Sequence, residues 1–385
     1  MTTNTPKDLL CFSHLRWDFV FQRPQHLMTR FAERGNVYFL EEPVFDDPEK
    51  SYISFEKKQP GLWVCLPHLP AGATPDEVIG LMSKLMETFF EERDCSNFVF
   101  WYYTPMAYEF SEMLAPALTV YDCMDELSAF AFAPPRIKYI EQKLLQKADL
   151  VFTGGVSLYE AKKNSHHNIH AFPSSIDKDH FGAARGNMTS PTDQAAISGI
   201  KLGFYGVIDE RFDQELISEI ATRRPDWQII LIGPVVKIDQ AKLPVADNIH
   251  YLGPKSYQQL PAYLSGWDVA LIPFLLNEST RFISPTKTPE YLAAGKPVVS
   301  SAIRDVVAPY EEMGLVSIGS DAGSFVAAIE YELTNSADKQ WLNGVDEFLA
   351  DKSWEDTFSS MLKLMQTVRK EAESVVLVNN LKKAS

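Results

Sequence analysis

The sequence predicts an α/β protein made of two domains, each with its own parallel sheet. Short apolar runs alternate repeatedly with amphipathic segments, which is the pattern of parallel strands joined by helices. A segment of small and polar residues at 174–198 interrupts this alternation, which then begins again. Size agrees with two domains, because 385 residues with 45% hydrophobic content exceed one ordinary core.

The pattern divides the chain into four parts. We expect a first domain at residues 1–176, a linker at 177–198, a second domain at 199–352, and a C-terminal helix and tail at 353–385.

The first series begins as a strand–helix–strand unit, in which Leu27, Met28 and Phe31 recur at helical spacing and Gly35 ends the helix. Ligands of such sheets bind beyond the carboxyl ends of the strands, so the loops after strands are the expected places for a site. The first series predicts strands at 8–12, 37–40, 63–67, 98–102, 118–121, 148–153 and 168–172, with further helices at 76–92 and 136–147. The second series predicts strands at 200–206, 227–233, 249–253, 269–273 and 298–300, with helices at 213–222, 256–265, 290–294, 324–333 and 354–372.

Composition excludes several functions. The net charge of -15 argues against nucleic acid as a partner, because neutralising phosphates needs clustered Lys and Arg. The four cysteines show no paired spacing and are expected to be buried thiols in a reducing compartment. His166 and His167 lack a third ligand at useful spacing, so we expect no metal site. The N-terminus lacks signal-peptide features and no window approaches 18 uninterrupted apolar residues, so we expect a soluble, cytoplasmic protein.

Residues 284–300, SPTKTPEYLAAGKPVVS, predict a short capped helix followed by a buried strand. Ser284 or Thr288 can cap the helix, and a glycine can end it. Such a helix turns Lys287, hydroxyls and free backbone N–H groups toward its start, which suits a diphosphate. Glu290 could accept hydrogen bonds from two neighbouring sugar hydroxyls. The alternative is that Glu290 only offsets the helix dipole and that Lys287 is solvated.

Two loops of the first domain carry further candidates. His14, Arg16, Trp17 and Arg23 lie between the first strand and the first helix, where binding residues are common. The alternative is that Trp17 and Phe19 hold the loop in place while Arg23 pairs with a surface acid.

Asp122 and Asp125 immediately follow the strand at 118–121. One of these acids could hold a sugar hydroxyl or act as a base. As helix caps they would be ordinary, and the sequence leaves both readings open.

Several motifs resemble one family when they are taken in order. Residues 290–299, EYLAAGKPVV, resemble the donor-site helix of retaining glycosyltransferases of the large group 1 (family 4) class, which have the GT-B fold. Trp17-Asp18 followed by QRPQHL at 22–27 is similar to a bacterial subgroup tied to cell-surface polysaccharide, such as teichuronic acid glycosyltransferases. Weaker similarities lie at ADLVF (148–152), at FPSSID (172–177) with Phe181, and at WDVALIP (267–273).

The resemblance implies two Rossmann-like domains that face each other across a cleft, with the C-terminal helix returning to the first domain. It implies transfer of a sugar from a nucleotide-sugar donor, with UDP expected, to a glycan or lipid-linked acceptor in cell-surface polysaccharide synthesis. Retention of configuration, independence of metals and other cofactors, and peripheral association with the inner face of the membrane are further expectations.

The resemblance also implies roles for individual positions. Glu290 matches the acid that binds the ribose hydroxyls, and the acceptor is expected beside His14, Arg16, Trp17 and Arg23. The residues expected to bind the donor are Gly206, Arg211, Gly253, Pro254, Lys255, Ser284, Pro285, Thr286, Lys287 and Glu290. Those expected to act on the reacting sugar and its leaving group are Asp122, Asp125, Arg211 and Lys287.

Three positions depart from the family pattern. The acid expected eight positions before Glu290 is Phe282, the Arg that usually follows Gly206 is Val207, and Tyr121 stands where many members have His. Two alternatives therefore stay open. One is a nucleotide-sugar 2-epimerase, and the other is a protein that binds a nucleotide-sugar without catalysis.

Overall fold

The structure is a computed structural model that describes residues 8–131, 133–335 and 339–384. Within these residues the chain forms two separate sheets, and the predicted α/β class is confirmed. The strands of the first sheet are β1 (Asp8–Phe12), β2 (Asn36–Leu40), β3 (Val44–Phe45), β4 (Tyr52–Gln59), β5 (Leu62–Leu69), β6 (Phe98–Tyr102), β7 (Leu118–Cys123), β8 (Leu150–Thr153) and β9 (Ile169–Ala171). Those of the second sheet are β10 (Ile200–Tyr205), β11 (Trp227–Ile232), β12 (Ile249–Gly253), β13 (Val269–Ile272), β14 (Val298–Ser301) and β15 (Ser317–Gly319).

Helices connect most of the parallel strands, as crossover connections require. In chain order they are α1 (Arg23–Ala32), α2 (Pro75–Phe90), α3 (Tyr108–Ser111), α4 (Ile137–Lys147), α5 (Val156–Lys162), α6 (Lys178–Gly182), α7 (Thr192–Ala195), α8 (Gln214–Arg223), α9 (Leu260–Ser265), α10 (Lys287–Ala293), α11 (Arg304–Val306), α12 (Ala322–Asn335), α13 (Lys339–Leu349) and α14 (Trp354–Ala384).

Both sheets have a point where the strand order reverses. The first sheet runs β3-β5-β2-β1-β6-β7-β8-β9, so that β1 has β2 and β6 as parallel neighbours. The second runs β12-β11-β10-β13-β14-β15, so that β10 lies between β11 and β13. Loops diverge where the order reverses, and this opens a crevice beyond the carboxyl ends of the strands.

The strands that the sequence analysis missed are short or polar. β3 and β15 have only two and three residues. β4 pairs antiparallel with β5 at the edge of the first sheet, and it exposes Glu56, Lys57 and much of its length. An edge strand of this kind has no apolar run, because only part of it contacts the core.

The segment expected to be a linker is folded against the second domain. Phe181 and Ala184 belong to the buried core of that domain. Arg185 donates from Nε to the carbonyl oxygen of Ala293 in α10 at 2.7 Å. Gln194 is fully buried and accepts a hydrogen bond from the indole N–H of Trp267 at 2.9 Å.

The C-terminal helix returns to the first domain, as the family resemblance implied. Trp354, Phe358, Met361 and Met365 of α14 pack in the same buried cluster as residues of β1, β6 and α1. Phe358 contacts Phe31 of α1 edge to face, with ring centroids 4.8 Å apart. The apolar residues of α14 between 354 and 365 are thus covered by the first domain, although the helix follows the second domain in sequence.

The predicted capping of α10 is wrong. The helix begins at Lys287 after Thr286, whose side chain makes no capping hydrogen bond. Ser284 precedes this turn, while Thr288 lies inside the helix with its hydroxyl buried and unpartnered among the described residues. Gly295, at φ +70°, follows the end of the helix as expected.

Candidate active site in the interdomain cleft

A cleft of about 630 Å³ lies between the carboxyl ends of the two sheets. The loop after β1 and the start of α1, residues 17–23, line one side, together with Met124 and Asp125. The second domain lines the other side with 205–207, Arg211, 254–258, 283–287 and Glu290. Of the predicted site residues, the cleft brings together Trp17, Arg23, Asp125, Gly206, Arg211, Pro254, Lys255, Ser284, Pro285, Thr286, Lys287 and Glu290. His14, Arg16, Asp122 and Gly253 do not contribute to its lining.

Glu290 is a buried carboxylate at the wall of this cleft. Its side chain is 6% exposed, and its Oε2 accepts a hydrogen bond from the Tyr205 hydroxyl. Burial raises the pKa of Glu290 from 4.5 to about 7, while the Tyr205 hydrogen bond and the Lys287 charge act in the opposite direction. At neutral pH the group therefore titrates, and small changes in its surroundings change its charge.

Lys287 reaches the cleft by passing beside Gly206. A Cβ at Gly206 would lie 2.3 Å from Cε of Lys287, and the glycine has φ +141°. The ammonium lies 5.6 Å from the ring centroids of both Phe204 and Phe274. Burial, helped by the charge of the nearby Arg211, lowers the pKa of Lys287 from 10.5 to about 8, against the effect of Glu290. A side chain at position 206 would displace this lysine, which explains the glycine there.

Arg211 provides a second cation, held in place by its neighbour. Its Nε donates to Oδ1 of Asp209 at 3.0 Å and its Nη2 to Oδ2 at 2.6 Å. The guanidinium also lies 5.4 Å from the ring centroid of Phe130 in the first domain. The pairing with Asp209 orients the guanidinium while leaving Arg211 at the cleft surface.

Asp125 is the acid that the first domain presents to these cations. Burial raises its pKa from 3.8 to about 6, while the charges of Arg211 and Arg23 act in the opposite direction. Asp209 also favours a higher pKa and Lys287 a lower one. The described part of the chain supplies no hydrogen-bond donor to its carboxylate, so its oxygens are free for a ligand.

The carboxylate of Asp122 is paired with the guanidinium of an arginine. The Nε and Nη2 of Arg23 donate to its two carboxylate oxygens at 3.0 and 2.8 Å, and Asp122 is 0% exposed. Arg23 also donates from Nη1 to the carbonyl oxygen of Phe172 at 2.8 Å. The partner of Arg23 is thus a buried acid, whereas the alternative considered for the sequence was a surface acid. The catalytic role of Asp122 stays a prediction, and the geometry favours Asp125 of the two.

Two of the remaining first-domain candidates, Arg16 and Trp17, hold the loop after β1. Arg16 pairs with Glu41 at 2.9 Å, and the backbone N–H of Trp17 donates to the other Glu41 oxygen at 2.7 Å. The Trp17 ring contacts Phe39 edge to face, with centroids 5.0 Å apart. His14 has a buried Nδ1 without a partner in the described residues, and burial lowers its pKa to about 4.

The structure gives the contacts or locations of Lys255 and of the three residues that depart from the family pattern. Lys255 forms an ion pair with Asp193 at 2.7 Å. Phe282 packs against the core of the first domain, outside the cleft lining, whereas Val207 lies in that lining. The Tyr121 hydroxyl donates to Glu141 at 2.7 Å, which leaves it no free acid–base role.

Sequence reasoning missed Tyr205, Asp209, Phe19, Phe21 and Tyr257, all of which contact the cleft or a residue in it. Tyr205 ends a buried strand and looked like core. Phe19 was considered only as support for its loop. The sequence feature that could have identified these residues is their position just beyond, or at the end of, a parallel strand.

The two parallel sheets and the cleft between them have the architecture of the GT-B fold. Residues 203–335 match the family described as glycosyl transferases group 1, which is the class that the motif at 290–299 resembles. The chain is 26% identical over 289 residues to TuaH of Bacillus subtilis (strain 168), a protein named as a putative teichuronic acid biosynthesis glycosyltransferase. That similarity covers 68% of this chain and 70% of TuaH.

Solved structures share the fold at low sequence identity. Sucrose-phosphate synthase from Thermosynechococcus elongatus has a TM-score of 0.63 at 14% identity, over 98% of this chain and 100% of that one. HepE from Anabaena in complex with UDP has a TM-score of 0.64 at 13% identity, over 94% and 100%. An α,α-trehalose-6-phosphate synthase from Burkholderia multivorans has a TM-score of 0.66 at 12% identity, over 96% and 100%. No helix in the described ranges combines the length and apolarity needed to cross a bilayer.

The Arg23–Asp122 pair gives a prediction about stability. Replacing Asp122 with Ala leaves the buried Arg23 without its counter-charge and should lower the free energy of unfolding by about 3–5 kcal/mol. Asp125→Ala is the matched control and should change that free energy by about 1 kcal/mol or less, because no described donor is left unpaired. Urea unfolding of the two variants measures the difference. Equal losses would contradict a structural role for Asp122.

Proposed function

We propose that the protein transfers a sugar from a nucleotide-sugar, with UDP as the nucleotide, to a hydroxyl of a glycan or lipid-linked acceptor in cell-surface polysaccharide synthesis, with retention of configuration. The observation that carries the donor assignment is the pair of Glu290 and Lys287, three positions apart on α10 and both at the wall of the cleft. The group 1 match supports a sugar donor, and the similarity to TuaH supports the polysaccharide context. The choice of nucleotide is supported by HepE, which shares the fold and was solved in complex with UDP.

The donor would lie along the second domain. Glu290 would accept hydrogen bonds from the ribose hydroxyls, while Lys287 and Arg211 would face the diphosphate. As the bond from the sugar's anomeric carbon to the diphosphate oxygen breaks, the leaving group takes the electron pair and gains negative charge. Two fixed cations in a partly buried cleft stabilise that charge. We expect no metal or other cofactor, since these side chains supply the positive charge.

Asp125 would face the transferred sugar from the first domain. Its carboxylate is free of described donors, and it lies among Arg23, Arg211 and Lys287. With a pKa of about 6 it is mostly ionised at pH 7 and can accept hydrogen bonds from sugar hydroxyls.

The acceptor would bind against the loop after β1. Trp17, Phe19 and Phe21 all line the cleft, and Phe19 is 44% exposed there. Exposed aromatic rings in a cleft are typical of a ligand site, because they remove apolar surface from water when the ligand arrives. The loop is held at Trp17, whose carbonyl oxygen accepts from Gln25 at 2.7 Å and whose N–H donates to Glu41. It is also held at Gln22, whose N–H donates to Oε1 of Gln25 at 3.0 Å.

The first prediction from the proposed function concerns the donor. A thermal-shift screen of UDP, GDP, TDP and their sugars should show stabilisation by UDP compounds, because a ligand that binds the native state raises its stability. Glu290→Ala should weaken UDP binding about tenfold or more, through loss of a charged hydrogen bond. Calorimetry measures both affinities.

Glu332→Ala is the matched control for this measurement. Glu332 is a buried glutamate of the same domain that accepts a hydrogen bond from the Ser317 hydroxyl, and it does not line the cleft. UDP affinity should be unchanged in this variant. Equal UDP affinity in Glu290→Ala and wild-type protein would remove Glu290 from the site. Binding without turnover over a broad acceptor panel would favour a protein that binds without catalysis.

The second prediction concerns the acceptor. Phe19→Ala should raise the KM for the acceptor about tenfold while the KM for the donor stays within about twofold, because a buried aromatic contact contributes on the order of 1–2 kcal/mol. Phe55→Ala is the control, since Phe55 is 47% exposed on β4 outside the cleft lining. Initial rates with varied acceptor measure the effect. A change in donor KM alone would place the loop on the donor side.

A further inference from the structure

Tyr205 is the residue that holds Glu290. It ends β10, is 6% exposed, and donates its hydroxyl hydrogen to Oε2 of Glu290. Its own position is fixed, because its backbone N–H donates to the Tyr291 hydroxyl at 3.0 Å. The rings of Tyr205 and Tyr291 meet edge to face with centroids 5.0 Å apart, and the Trp267 ring lies 6.2 Å away. The donor to Glu290 therefore has little freedom to move.

The hydrogen bond also decides what Glu290 can offer to a ligand. Tyr205 occupies Oε2, and the described residues supply no donor to Oε1. Lys287 is close enough to influence the charge of Glu290, but no hydrogen bond joins them in the described part of the chain, and the ammonium lies near the Phe204 and Phe274 rings. Tyr205 is thus the side chain that orients the carboxylate, and Oε1 is the oxygen left for the cleft.

We infer that Tyr205 is the positioning residue of the nucleotide site, and that its hydroxyl holds the Glu290 carboxylate in the orientation that receives the ribose hydroxyls. This inference rests on the proposed binding of a nucleotide-sugar at Glu290. A carboxylate fixed before the ligand arrives loses less rotational freedom on binding, and this favours affinity.

The charged and titratable groups around Glu290 set the pH dependence. Lys287 and Tyr291 share its helix, Tyr205 faces it from β10, and Tyr257 faces it from the turn after β12. Arg211, Asp209 and Asp125 act on Lys287 from the loop after β10 and from the first domain.

Burial raises the pKa of Glu290 to about 7, and the Tyr205 hydrogen bond is the largest opposing effect. Loss of that hydrogen bond raises the pKa further, so less of the carboxylate is ionised at a given pH. If the ionised form binds ribose, wild-type affinity is greatest between the pKa of Glu290, about 7, and that of Lys287, about 8. It weakens above that range as Lys287 loses its charge, and it falls as the pH drops through about 7. In Tyr205→Phe the fall begins at higher pH.

Calorimetric titration with UDP between about pH 5.5 and 8.5 tests whether Tyr205 positions Glu290, because the loss of a charged hydrogen bond changes affinity measurably. Tyr205→Phe keeps the ring and should bind UDP about tenfold more weakly at pH 7, with the midpoint of the acidic limb of its pH profile displaced upward. Position 290 cannot ionise in Glu290→Gln, so the profile of this variant records the titration of the nucleotide phosphate and of Lys287 without that of Glu290. Circular dichroism and melting temperature check that each variant is folded.

Tyr251→Phe is the matched control. Its hydroxyl donates to the carbonyl oxygen of Pro244 at 2.9 Å in the same domain, outside the cleft lining. It should show the wild-type affinity and pH profile.

Three results would overturn the inference. One is a Tyr205→Phe variant with wild-type affinity and profile, and another is an equal loss at every pH, which would indicate a structural role only. The third is a wild-type protein that binds no nucleoside diphosphate at any pH. That result overturns the proposed function as well, whereas the first two leave the proposed function standing.

Discussion

Glu290 and Lys287 are ionisable groups of opposite charge on one short helix, and both are largely buried. The chemistry of the cleft depends on the neighbouring groups that stabilise their charged forms. Burial shifts both groups toward their neutral forms, as the pKa values of about 7 for Glu290 and about 8 for Lys287 indicate. The Tyr205 hydroxyl favours the ionised carboxylate. Other polar groups nearby, including Asp209 and Asp125, favour the ionised amine. A bound diphosphate would also favour the ionised form of Lys287. Ligand binding is therefore linked to the protonation state of this lysine.

The backbone around Glu290 and Lys287 also accommodates these two buried groups. Gly206 leaves room for the Lys287 side chain, and Gly233 approaches so closely that a Cβ there would lie 1.8 Å from the Gly206 carbonyl oxygen. Arg185, from the segment after the first domain, donates to carbonyl oxygens of both Leu292 and Ala293 near the end of α10. The helix that carries the two charges is thus held by groups from distant parts of the sequence.

Much of the fold was predictable, because parallel strands buried on both faces read as continuous apolar runs, as FVFWY in β6 and VALI in β13 do. Glu290 and Lys287 were found in the same way, from a local motif. The partners of these residues were not, since the pairing of Arg23 with Asp122 spans 99 positions and that of Tyr205 with Glu290 spans 85. The packing of 177–198 was also hidden, because its polar composition resembles a linker while single residues such as Phe181 are buried. Local patterns predict elements and motifs, whereas contacts between distant segments follow from how the elements pack.

The most direct test of the proposed nucleotide site is a crystal structure of the protein with UDP bound. We expect the ribose hydroxyls within hydrogen-bonding distance of Glu290 and the diphosphate beside Lys287 and Arg211, with the Tyr205–Glu290 hydrogen bond retained. UDP bound elsewhere, with Glu290 and Lys287 free of ligand, would contradict the assignment of this cleft to the donor.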